Sequence, residues 1–168
     1  MYQMQESFQK VSDAITPFQV PGKAIAVVDD DMNDLFFIKR ELRFIFGDMP
    51  VITFQSSADI LRHLRLPGAP ETKPWLILLD LDMPGASGFK TLETLQNDPA
   101  LSGIPVVVIS GSVKEQDVHD SFTCGAKAFL SKPASRQDFA ALLHQANIFK
   151  PALKAKALAS LVTVKGNA

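Results

Sequence analysis

Short, largely apolar runs recur along the chain, and each is followed by a stretch whose apolar positions fall three and four residues apart. Runs of this length suit strands covered on both faces, and the longer spacing suits helices with one buried stripe. The predicted strands are Ala24 to Val28, Val51 to Phe54, Leu76 to Leu79, Val106 to Ile109 and Ala128 to Leu130. The first helix carries Leu35, Ile38, Leu42 and Ile45, with Asn33 as its expected cap and Gly47 as its stop. Ile60, Leu61 and Leu64 mark the second, followed by a loop at Pro67-Gly68-Ala69-Pro70. Phe89, Leu92 and Leu95 mark the third, which stops at Asn97-Asp98-Pro99. Ser112 with Glu115 reads as a capping box for a fourth helix bearing Val118 and Phe122, ended by Gly125. Ser135 with Asp138 caps a fifth, whose Phe139, Leu142, Leu143 and Ala146 share a face.

Five strands alternating with five helices imply right-handed βαβ units. The expected fold is α/β: a doubly wound, flavodoxin-like, five-stranded parallel sheet of order 2-1-3-4-5 with helices on both faces. That order places the switch point between the first and third strands, where ligands bind at the carboxyl ends.

The residues that close the strands are chemically unusual. The first ends in Asp29-Asp30-Asp31, the third in Asp80, the fourth in Ser110-Gly111 and the fifth in Ser131-Lys132-Pro133. Adjacent carboxylates repel, so the acid run belongs at an exposed strand end with a cation to neutralise it. Asp29, Asp30 and Asp80 form an oxygen-rich set suited to a hard divalent ion, for which Mg²⁺ is the expected choice. Asp80 could then attack phosphorus, while the Ser110 hydroxyl and the Lys132 ammonium take up phosphoryl oxygens.

Composition bounds the picture. The chain has 168 residues, 46% of them hydrophobic, and a formal net charge of −1, which argues against broad capture of nucleic acid. Residues 1–149 hold 13 basic and all 18 acidic residues, and four lysines follow without an acid, so 150–168 is expected to be a basic extension. It reads as a solvated tail, as a dimerisation or partner-docking arm, or as a nucleic-acid contact, for which four lysines without aromatic interleaving are a thin footprint. Residues 1–22, with Met4, Phe8, Val11 and Ile15 at helical spacing, are expected to form a short extra helix, packed on its own domain or facing a partner. A homodimer through these extensions is therefore one expectation. The lone Cys124 excludes an internal disulfide, and neither signal peptide nor membrane span is indicated, so a cytoplasmic location is expected.

The segments Val27-Val28-Asp29-Asp30, Leu79-Asp80-Leu81-Asp82-Met83-Pro84-Gly85-Ala86-Ser87-Gly88, Ile109-Ser110-Gly111 and Gly125-Ala126-Lys127-Ala128-Phe129-Leu130-Ser131-Lys132-Pro133 together resemble the receiver domain of two-component response regulators. The resemblance covers about residues 23–148 and gives the expected domain as 23–149. It implies that Asp80 is the phosphoacceptor, that Asp29 and Asp30 serve Mg²⁺, and that Asp82 offers its backbone carbonyl to the metal. Ser110 would be the switch hydroxyl, Phe129 the switch aromatic, and Lys132 the phosphate-binding lysine before a proline that the family usually holds in cis. The implied partners are a sensor histidine kinase or phosphotransfer protein and a downstream protein target.

The chain is expected to resemble most the stand-alone regulators, chemotaxis-type and phytochrome-associated, because the residues given after 148 are too few for an output domain. Three departures are visible: Ser110 stands for the commoner threonine, Phe129 for the commoner tyrosine, and Asp82 adds a charge where the family varies. Two rivals stay open. Leu79-Asp80-Leu81-Asp82 also resembles the opening motif of haloacid-dehalogenase-type phosphatases, and a receiver can act as an unphosphorylated adaptor.

Overall fold

The computed structural model describes residues 24–67, 73–85 and 87–145. Strands β1 (Ile25–Val28), β2 (Val51–Phe54), β3 (Leu76–Leu79), β4 (Val106–Ser110) and β5 (Ala128–Ser131) alternate with five helices. These are α1 (Met32–Phe46), α2 (Ser57–Leu64), α3 (Gly88–Asn97), α4 (Glu115–Thr123) and α5 (Arg136–Gln145). Every pairing is parallel and the order is β2-β1-β3-β4-β5, the order expected for a doubly wound sheet of five strands. The expected helix at 1–22, the basic tail at 150–168, Ala146, and most of the loop after Pro67 lie outside the described residues.

Alternation along the strands sorts the core into two halves. Ile25, Val27, Leu76, Leu78, Val107 and Ile109 face α1 and α5, meeting Leu35, Ile38, Leu42, Phe139 and Leu142. Ala26, Val28, Ile77, Leu79, Val106 and Val108 face the other way, meeting Ile60 and Leu64 of α2 and Leu92 and Leu95 of α3. The four residues of β3 are each at most 2% exposed, so each contributes about 1.5–3 kcal/mol of apolar burial.

Helix ends correct the sequence reading in two places. Asp31, not Asn33, caps α1: its Oδ1 accepts from the Asn33 amide at 2.7 Å, because a side chain at the N-cap reaches the amide two residues on. α4 begins at Glu115 after Lys114, with no side-chain cap. Ser112 is held elsewhere, since its amide donates to the Ser110 hydroxyl at 3.0 Å and its own hydroxyl bonds the Asp117 carboxylate. α4 is also the most weakly buried helix: Ser121 is its one buried residue, Val118 is half-buried, and Phe122, expected on an inner face, is 49% exposed. The Ser135/Asp138 box at α5 forms as predicted, and Gly47 ends α1 at φ 63°.

Candidate functional site

Register builds the site. Val28 pairs with both Phe54 and Leu79, so Asp29 and Asp80 are each the next residue beyond the same rung on neighbouring strands. Their amides continue the ladder, Asp29 to the Phe54 carbonyl at 3.0 Å and Asp80 to the Val28 carbonyl at 2.9 Å. On the other side Ser110 pairs with Ser131, and the Lys132 amide donates to the Ser110 carbonyl at 2.9 Å. Residues at the ends of four strands thus meet at one end of the sheet, the end where α/β proteins bind ligands.

Lys132 is the centre of the charge arrangement. Its Nζ lies 2.7 Å from Asp29 Oδ2, 2.9 Å from Asp34 Oδ2 and 3.1 Å from Asp80 Oδ2. Burial alone would lower the pKa of this ammonium, but the bonds to Asp29 and Asp34 and the charge of Asp80 outweigh it and hold it above the ordinary lysine value. Asp29 is only 1% exposed, so the strand buries the first of its three acids rather than presenting it to water. Burial pushes its carboxyl above the usual range, opposed by Lys132 and by the Asp31 amide, which donates to Oδ1 at 3.0 Å. The Lys132-Pro133 bond is cis, as the resemblance implies.

Oxygens of Asp29, Asp30 and Asp80 all lie within 4.8 Å of one another. Ligands around an octahedral ion at ~2.1 Å stand about 3–4 Å apart, so these three hard donors fit a Mg²⁺-sized ion after small side-chain adjustments. Asp30 is exposed, which leaves room for the waters such an ion keeps. The Asp80 loop is held tightly from below. Gly88 opens α3 against it, and a Cβ there would collide with the Asp80 carbonyl oxygen and come within 2.5 Å of Leu81 Cα.

Ser110 joins the cluster indirectly. It is fully buried, and its hydroxyl donates to Asp82 Oδ2 at 2.7 Å; the Asp82 amide in turn donates to Asp80 Oδ1 at 3.2 Å. The sequence presents Asp82 as a backbone carbonyl and an added charge beside the acceptor; its side-chain contact with Ser110 is an addition. Phe129 is half-buried on β5, opposite Val108, against the core half that includes Leu79 and Met83. Asp34 was missed altogether. Its position on the first turn of α1, four residues after Asp30, was the available signal, because a helix starting at the strand end turns that position back toward it.

Among the described residues no helix is long and apolar enough to cross a membrane. Residues 25–144 match the family model for the response regulator receiver domain. The response regulator Rcp1 of a Synechocystis species is 31% identical over 70% of this chain and 82% of its own length. Three regulators of Arabidopsis thaliana are matched over 59% to 66% of theirs. Among solved structures, the bacteriophytochrome response regulator AtBRR aligns at TM-score 0.67 with 28% identity over 76% of this chain and 94% of that one. The Mn²⁺-bound form of Rcp1 aligns at TM-score 0.60 with 30% identity over 69% of this chain and 85% of that one. With strand order, acid cluster, lysine and motif matches in agreement over most of its length, the chain belongs to the response regulator receiver family.

Proposed function

We propose that this receiver accepts a phosphoryl group on Asp80 from the phosphohistidine of a sensor kinase or phosphotransfer protein and signals through altered protein contacts in the cytoplasm. The observation that carries the reading is the convergence on Lys132 of Asp29 and Asp80, with Asp30 alongside. In the transfer an Asp80 carboxylate oxygen bonds phosphorus as the phosphorus–nitrogen bond of the donor imidazole breaks, and the leaving nitrogen takes up the bonding pair. Lys132 is positioned to pair with a phosphoryl oxygen at the expense of its resting carboxylate contacts. Asp29, Asp30, Asp80 and the Asp82 carbonyl would hold Mg²⁺, which when bound supplies positive charge against the carboxylates and the phosphoryl oxygens. Ser110 donating to the new oxygens, with Phe129 following inward, would alter the surface of α4, β5 and α5. That surface already exposes Phe122.

The phosphatase alternative needs Asp82 as a proton donor to a leaving group, whereas its carboxylate is occupied by Ser110 and the Ser112 amide. The adaptor alternative gains nothing from a metal-ready acid set. Incubation with acetyl phosphate and Mg²⁺ separates the three: one phosphoryl group per chain followed by slow decay is expected, sustained turnover of phosphate esters would favour the phosphatase, and no labelling the adaptor.

A further inference from the structure

The one hydroxyl that the phosphoacceptor reading assigns to the phosphoryl group is already engaged. Ser110 is 0% exposed, so no bulk water can serve its O–H, and that single proton goes to Asp82 Oδ2 at 2.7 Å. The Ser112 amide reinforces the grip, donating to Ser110 Oγ at 3.0 Å and to Asp82 Oδ2 at 3.3 Å. We propose that the Asp82 carboxylate is a latch on Ser110, a positioning residue that sets the site's affinity for a phosphoryl group by competing with it for the Ser110 hydroxyl. The proposal rests on the phosphoacceptor reading and adds a determinant of how strongly the phosphorylated state is favoured.

A hydroxyl has one hydrogen to give, and both acceptors are anionic. Hydrogen bonds to charged acceptors are roughly twice as strong as neutral ones, so the exchange of one for the other is nearly balanced and small changes at Asp82 tip it. The released Asp82 carboxylate is exposed and regains water, which makes release feasible. The Asp82 amide donates to Asp80 Oδ1, which keeps residue 82 beside the acceptor. Removing Asp82 leaves a buried hydroxyl without an acceptor, and an oxygen or fluorine brought to Asp80 then becomes its natural partner.

Two effects of such a substitution have to be separated, loss of the latch and loss of a nearby charge. Only the first depends on Ser110. Beryllofluoride, a phosphoryl-mimicking anion, is therefore titrated calorimetrically in the presence of Mg²⁺ into wild type, D82A, S110A and the double variant. Replacing the side chain at 82 retains the backbone carbonyl assigned to the metal. D82A is expected to tighten binding about tenfold more in the Ser110 background than in the S110A background. D82N, which keeps a neutral acceptor, is expected to fall between D82A and wild type. Equal tightening in both backgrounds overturns the latch while leaving the phosphoacceptor reading intact; failure of the wild type to bind beryllofluoride overturns both.

Discussion

Lys132 Nζ and Asp29 Oδ2 lie 2.7 Å apart, an ion pair in which the carboxylate is almost wholly buried and the lysine side chain is 18% exposed. It ties the loop after β5 to the end of β1 and compensates a charge that the strand could not otherwise bury. Lys132→Ala should therefore destabilise the fold at neutral pH by about 3 kcal/mol, since it leaves Asp29 buried among Asp34 and Asp80 without a cation. Added Mg²⁺ should restore more thermal stability to the variant than it adds to wild type, because the ion replaces the missing charge. Calorimetric melting with and without Mg²⁺ checks both. Trp75 fluorescence is a poor reporter for this purpose, because the ring sits at the amino end of β3 beside Phe46 and Met49, a strand's length from Asp80.

Gly88→Ala tests the support beneath the acceptor. The added methyl would meet main-chain atoms of Asp80 and Leu81, which cannot swing aside as a side chain can. A loss of about 1–3 kcal/mol is expected, together with slower labelling by a phosphodonor. Gly125→Ala makes a useful comparison. The space beside it is filled by the flexible Gln96 side chain, and its cost comes mainly from φ +98°; labelling of that variant should keep its rate.

The α5 cap gives a pH-dependent signature. The Asp138 carboxylate accepts from both the hydroxyl and the amide of Ser135, which hold its carboxyl below the ordinary value of 3.8. A carboxylate with a depressed folded pKa stabilises the fold above its unfolded value and loses that contribution as pH falls through the folded one. Asp138→Asn should cost about 0.5–1 kcal/mol at neutral pH, and the difference from wild type should shrink as pH is lowered below 3.8. Urea denaturation of both proteins from pH 3 to 7 measures it, the pH range being roughly that over which carboxyl groups titrate.

Much of this arrangement is legible in the sequence because strand-end position is enough to specify it. Asp29 and Asp80 each follow directly on an apolar run, and parallel pairing of those runs makes them neighbours without further information. Contacts that depend on side-chain reach are less accessible. The Asp34–Lys132 and Asp82–Ser110 contacts both join a residue just past a strand to one on a different element, and their existence turns on rotamers that periodicity does not encode. The misplaced start of α4 has the same origin. Ser112 carries a capping signature in sequence, but its amide is drawn to Ser110 and Asp82 at the strand end. The cap of α1 has a simpler explanation: Asp31 and Asn33, two residues apart, both suit a cap, and the earlier one wins.

The most direct measurement is intact-mass and peptide mapping of the chain after acetyl phosphate treatment with Mg²⁺, run in parallel on Asp80→Asn. One acid-labile phosphoryl group on wild type, located at Asp80 and missing from the variant, is the predicted result. A label that persists on Asp80→Asn, or that maps to another residue in wild type, would contradict the assignment of Asp80 as the phosphoacceptor.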